Sequence, residues 1–462
     1  MNLSILRTTL LFVAFAAVNC IAAQTTTPFA TPRFLGGSTV AGDTAYFAGG
    51  ATSGLMPSSV INLYDRITDT WSTQALSQSR ALVGVSATNK HVFFAGGVDP
   101  RPTGTSLEIV DIYDRSTNSW SIDTLSDPVV LNMTAANDSL AFFAGGLIAP
   151  SGFFAELNGR ANVDVYNSNT NTWSTLELSE PRGAGAAVRI GDYFIFAGGL
   201  IDEDTPSKRV DIYNAATGEW SIDSLSIARF YFSGVTDGQK AYFAGGLNTE
   251  GEHFSVVDVY DPTTREWSTL SLSAARGFVA TGFSCGKLIF ASGAITNWET
   301  RFITEAFTNL DIFDPATQEW TFEELAQQRY GGFPAAFDDQ FILASGFSTN
   351  GGLVNTSVKY TCSFLTDTRE PIVAADKFFT LSPNPVSSNT RLRLNWNDPS
   401  ELVSEHKPLT YRLINQLGQP VAQGSIVQNE LELPVGITPG VHILLVNSSA
   451  NQLVFSARLI IY

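Results

Sequence analysis

Six tryptophans in this chain are each followed, 25 residues later, by the first residue of a Gly-Gly or Ser-Gly pair, as in Trp71 to Gly96 and Trp320 to Ser345. Pairs stand at Gly49-Gly50, Gly96-Gly97, Gly145-Gly146, Gly198-Gly199 and Gly245-Gly246, then Ser292-Gly293 and Ser345-Gly346. Each follows an apolar run such as Tyr46-Phe47-Ala48 or Phe93-Phe94-Ala95. Downstream come Tyr64, Tyr113, Tyr166, Tyr213, Tyr260, Phe313 and Tyr360, and all but the last precede a Trp by seven residues. Anchors in fixed order at a 47 to 53 residue period mean one supersecondary unit used seven times.

Each unit reads as four strands. The first is rich in small residues, as a strand crowded against a central axis must be. The second is the aromatic run ending in the Gly pair. The third alternates with period 2, as in Val110-Asp111-Ile112-Tyr113, and the fourth begins at the Trp. Short polar residues between Tyr and Trp suit a turn bonded by its own side chains. Four strands repeated radially make a propeller blade, and the fold class is all-β. With these anchors the chain resembles the kelch family over residues 24–365, in seven units. It departs from the family in Ser292 and Ser345, and in Asp367 where a seventh Trp would stand. The last unit therefore lacks a fourth strand. The segment from Gln24 to Pro32 aligns with one, which predicts closure of the ring by the N-terminal strand.

The ends carry different signals. Arg7, the apolar run Thr8 to Val18 and Ile21-Ala22-Ala23 read as a signal peptide over residues 1–23, cleaved before Gln24. Cys20 follows Asn19, a poor match to the small residue of a lipoprotein site. A linker at 366–377 leads to residues 378–462, whose alternating segments and turns read as a small Ig-like β-sandwich. Leu381-Ser382-Pro383-Asn384-Pro385, Asn415 to Gln419, Leu433-Pro434 and Pro439-Gly440-Val441-His442 resemble the sorting domain of the type IX secretion system of Bacteroidota. His442 stands where that family usually has an aromatic such as Tyr. The resemblance implies engagement of the secretion machinery and delivery outside the cell or to its surface.

A formal net charge of −17, with no cluster of Lys and Arg, excludes a phosphate-tracking nucleic-acid binder. No segment is long and apolar enough to span a bilayer. Of the three cysteines, Cys285 and Cys362 lie beyond the signal peptide and read as two unpaired buried thiols, with a bridge as the alternative.

Chemistry is sparse. The four His show no metal-ligand spacing, so a copper centre like that of kelch-fold galactose oxidases has no support, and no metal or cofactor is expected. Two sets of residues are candidates for ligand binding. Arg33, Arg80, Arg182, Arg229, Arg276 and Arg329 recur before each first strand, with Val129 the exception. They form either an axial ring for an anion or a structural set bonding carbonyls and carboxylates. The second set lies in the longest loops between second and third strands: Phe153, Phe154, Glu156 and Arg160 in unit three, and Trp298, Glu299, Arg301 and Phe302 in unit six. Exposed aromatics beside charges suit a sugar or a protein partner, unless they pack onto neighbouring loops. The reading that follows is a secreted or surface binding scaffold for a protein or glycan, and not an enzyme. The alternative is a carbohydrate-active propeller, sialic acid mutarotase-like or lyase-like, using the Arg ring.

Overall fold

The computed structural model describes residues 23–99, 104–150 and 156–361, and in the C-terminal region 379–382, 384, 386–387, 391–396, 409–414, 420–426, 430–434, 436–447 and 453–461. The signal peptide up to Ala22, the linker, Cys362, Phe153 and Phe154 lie outside them. The chain forms two units, residues 20–364 and a second containing residues 365–462.

The first unit is a seven-bladed propeller. Its innermost strands are Gly37–Ala41, Gly84–Ala87, Met133–Ala136, Ala186–Ile190, Ser233–Thr236, Ala280–Ser284 and Phe333–Phe337. Each touches the next and the last touches the first, so the ring is closed. Blade 5 shows the pattern: Ser233–Thr236 pairs with Ala241–Ala244, then Val256–Asp261, then Glu266–Ser271, all antiparallel. In blade 7 the outer position is filled by Ala23–Pro28, which pairs antiparallel with Thr356–Thr361 in the register Gln24↔Tyr360. That strand begins at Ala23, beside the expected cleavage point.

The repeated anchors have separate physical jobs. In blades 1 to 6 the third-strand Tyr or Phe lies directly opposite the Trp of its own blade, as in Tyr64↔Trp71 and Phe313↔Trp320. Their rings sit 5.0 Å and 4.9 Å apart, an aromatic cross-strand pair that fixes register. Between them Asp65 Oδ1 accepts from the amides of Ile67 and Thr68, and Asp261 Oδ1 does the same for Thr263 and Thr264. The glycine pairs explain their own exceptions. The first position has φ between 52° and 73°, a left-handed value that Ser292 and Ser345 also adopt at 56° and 54°. The second has φ from 97° to 123° and is glycine in every blade, because a side chain is barred there.

The C-terminal unit has two antiparallel sheets. One orders Phe379–Ser382, Arg391–Trp396 and Glu430–Glu432; the other orders Pro420–Ile426, Leu409–Ile414, Gly440–Asn447 and Leu453–Ile461. Leu392 and Leu431 from the first share one apolar core with Leu413, Leu444 and Leu459 from the second. His442 is buried in this unit with its ring near the Gly440 carbonyl, and its strand is eight residues long and paired on both sides.

Cys285 forms a disulfide, and its partner is a cysteine outside the described residues. This corrects the expectation of an unpaired buried thiol. Cys285 is only half-buried, in the turn between the first two strands of blade 6. Its amide donates to Asp338 O of blade 7. It therefore sits at a blade boundary, within reach of other strand ends, and not in a core.

Candidate functional site

The recurring arginines belong to the blades. All six side chains are fully buried, and each guanidinium turns into the blade whose first strand it precedes. Arg229 is typical: Nε donates to Gly245 O at 2.8 Å, Nη2 to Phe243 O at 3.0 Å and Nη1 to Asp258 at 2.7 Å. Arg80, Arg182 and Arg276 pair with Asp111, Asp211 and Asp311 in the same way. The carboxylate stands two residues before the Tyr or Phe anchor and also receives the amide of a preceding-blade serine, as Asp258 does from Ser226.

The exceptions follow the chemistry. Arg33 donates to Asn62, Arg329 donates only to carbonyls and the Thr356 hydroxyl, and burial pushes both down to about 10. In blade 3 Val129 replaces the arginine, and burial raises the pKa of Asp164, which is held by Ser126 instead. Most of their donors go to strand carbonyls, carboxylates and neighbouring polar side chains, and only Arg80 Nε and Arg329 Nε are left without a partner among the described residues, so the set is a buried brace within six of the blades. It does not converge on an open axis.

Other residues surround the axis on this face. Two positions after each arginine, or after Val129, stand Leu35, Leu82, Leu131, Ala184, Tyr231, Phe278 and Gly331, all with φ between 51° and 59°. Leu82 N donates to Leu35 O, Tyr231 N to Ala184 O and Phe278 N to Tyr231 O, so the backbone passes around the axis from blade to blade. Leu82, Leu131 and Tyr231 are half-buried against one apolar cluster, and Leu35 and Phe278 against another. The Tyr231 and Phe278 rings stack with centroids 4.4 Å apart.

Among these residues lies a pocket of about 460 Å³, lined from blades 5, 6, 7, 1 and 2. Phe34, Leu35, Leu82, Tyr231, Phe278, Tyr330 and Phe347 line it, with Thr52, Gly54, Leu55 and Thr349 from the loops of blades 1 and 7. The unit-six insertion supplies Thr296, Trp298, Arg301, Phe302 and Ile303. Of its residues, Trp298 is buried, packed on Phe230 at 4.6 Å and on Tyr231 at 6.3 Å, so it anchors the insertion. The Arg301 guanidinium lies 3.3 Å from the Trp298 ring centre. Phe302 is 74% exposed, and Leu55 beside it 40%. Thr296 is tethered from blade 5: its amide donates to His253 Nε2 at 3.0 Å, so Nδ1 carries the proton toward Gly251 O at 3.1 Å. Burial lowers the His253 pKa and keeps this ring neutral.

Arg160 is elsewhere, paired loosely with Asp127 at 3.6 Å in blade 3. Of the second candidate set, the fold thus brings together Trp298, Arg301 and Phe302 and leaves Arg160 apart. The residues around the axis and Tyr330 were missed by sequence reasoning; an aromatic or aliphatic residue one or two places after each repeated arginine is the signal that marks them. Among the described residues no group of three or more His, Cys, Asp or Glu is placed to hold a metal ion.

The Kelch motif matches residues 228–271, which span blade 5 from the residue before Arg229 to the end of its outer strand. No curated protein matches the chain. A solved structure titled "Structure of YjhT" is similar at 15% identity, with a TM-score of 0.48, over 71% of this chain and 95% of that one.

Proposed function

We propose that this kelch-repeat β-propeller is an exported, non-catalytic binding protein that takes its ligand in the aromatic pocket lined from blades 5, 6, 7, 1 and 2. The observation that carries the reading is the composition of that pocket. Apolar rings form its walls, Phe302 and Leu55 stand exposed at its mouth, and a few polar groups are set among them. Concave, mostly apolar sites with sparse polar groups are how proteins hold ligands, and exposed large apolar groups seldom stand together without a partner. The carbohydrate-active alternative required arginines converging on the axis. Those arginines are buried inside blades, and the residues two positions after them that face the pocket are leucines and aromatics.

Export rests on three supports. The N-terminal sequence has the pattern of a signal peptide, and the C-terminal motifs resemble a type IX sorting domain built as an Ig-like sandwich. The disulfide at Cys285 belongs in an oxidising compartment. No helix among the described residues is long and apolar enough to cross a membrane. In this reading the ligand, a protein or a glycan, is met outside the cell or at its surface.

Screening the full-length protein on peptide and glycan arrays, beside a Phe302→Asp variant, tests the site. Binding that disappears in the variant while its thermal melt is unchanged supports the pocket. Binding retained by the variant places the contact surface elsewhere.

A further inference from the structure

The polar groups in the pocket are few, and two of them, the Arg301 guanidinium and the Thr296 hydroxyl, hold a donor without an acceptor. Arg301 Nη1 and Thr296 Oγ1 are both buried and, among the described residues, have no hydrogen-bond partner. Thr296 as a whole is 5% exposed. Neither group can be left so without cost unless something else fills the space, since a buried donor without a partner loses its hydration for nothing. The Tyr231 hydroxyl lines the same space and interacts electrostatically with Arg301.

Each of these groups can donate a hydrogen bond, and the guanidinium carries a fixed charge. Glu203 and Asp204 act on Arg301 through space, but burial outweighs them and lowers its pKa. Neither makes a hydrogen bond to it among the described residues. A sugar is a poor fit. Its ring of hydroxyls needs many partners of both kinds, and the Trp298 face that would stack on it is covered by the guanidinium.

We propose that the pocket takes an apolar ligand bearing a carboxylate, with its ring or chain against Phe278, Tyr330 and Phe347 and its anion between Arg301 and Thr296. This rests on the binding reading above and adds the chemical class of the ligand. A planar carboxylate matches the guanidinium fork and accepts from the threonine hydroxyl as well. The same chemistry arises in a free aromatic or aliphatic acid and at the C-terminus of a peptide ending in an apolar residue.

The test is calorimetric titration of the full-length protein with 4-phenylbutyrate and with 4-phenylbutan-1-ol, which differ in the anion. The acid is expected to bind on the order of tenfold more tightly. Arg301→Gln should reduce the acid to the level of the alcohol and leave the alcohol unchanged, whereas Arg301→Lys should keep most of the preference. Thr296→Val gives a second, shape-conserving probe and should weaken the acid alone by a few-fold.

Equal binding of acid and alcohol by the wild type, or a preference that survives Arg301→Gln, overturns the carboxylate and leaves the pocket standing. No binding of either compound overturns both the carboxylate and the pocket as a ligand site. A phenylalanine-ended peptide compared with its C-terminal amide separates the sources. Discrimination against the amide points to a chain terminus, and indifference with a retained preference for phenylbutyrate points to a free acid.

Discussion

Arg229 and Arg301 are the same residue in neighbouring parts of one propeller, and they have opposite uses. Arg229 enters blade 5 and gives its donors to two strand carbonyls and the Asp258 carboxylate. Arg301 lies on an insertion of blade 6 against an aromatic face, which attracts its charge but accepts none of its hydrogen bonds conventionally. The difference is one of acceptors. Where the repeat supplies them, a guanidinium becomes scaffold and recurs because blades recur. Where a single loop departs from the repeat, the same group is left facing a space.

The largest effect should come from breaking the scaffold arginine. Arg229→Ala orphans two carbonyls and a buried carboxylate, and should cost about 3–5 kcal/mol in urea denaturation. Asp258→Asn should cost only about 1 kcal/mol, because Arg33 already manages with Asn62 in blade 1. Similar losses in the two variants would break the view that the brace depends on acceptors more than on charge.

A smaller effect concerns the tether of the insertion. His253 accepts the Thr296 amide only while neutral, and its folded pKa lies below the ordinary 6.5. The support it lends is therefore full above about 6.5 and is lost as pH falls through the lowered folded value. Amide exchange over residues 296–302, corrected for its intrinsic rate, should quicken between about pH 7.5 and about pH 5 while blade 5 strands hold. His253→Ala should abolish that dependence, and unchanged exchange in the wild type would remove His253 from the tether.

The smallest effect should be at Arg301. Arg301→Gln should cost only about 0.5–1 kcal/mol, the loss of its contact with the Trp298 ring, since Nη1 forfeits no hydrogen bond. A loss approaching that of Arg229→Ala would mean that Arg301 is scaffold after all.

The repeat made most of the propeller legible. Glycine pairs, Tyr and Trp announce backbone angle and cross-strand contact, which are local properties. A residue's direction is not local, and the arginines show this. Their spacing fits an axial ring and a buried brace equally well. The clue lay in a second periodicity, Asn62, Asp111, Asp164, Asp211, Asp258 and Asp311, always two residues before the anchor ring. A carboxylate that repeats with an arginine is its partner. The pocket was half legible. The unit-six insertion stands out by its length, but Trp298, the residue best suited to stacking, is the one the fold buries as an anchor. Phe153 and Phe154 lie outside the described residues.

The pairing of Ala23–Pro28 with Thr356–Thr361 bears on time as well as shape. Thr27 and Ser357, whose hydroxyls meet in that sheet, are 330 residues apart. Such a contact forms only after nearly the whole ring is present, and it carries the largest loop-closure entropy in the molecule. Six blades can assemble from neighbouring segments as the chain emerges, but the seventh waits for both ends. Until then Thr356–Thr361 is an open strand edge that another chain can pair with. A ring sealed in this way links its two distant segments in a single step, so the last blade to be completed is also the one whose loss reopens the circle.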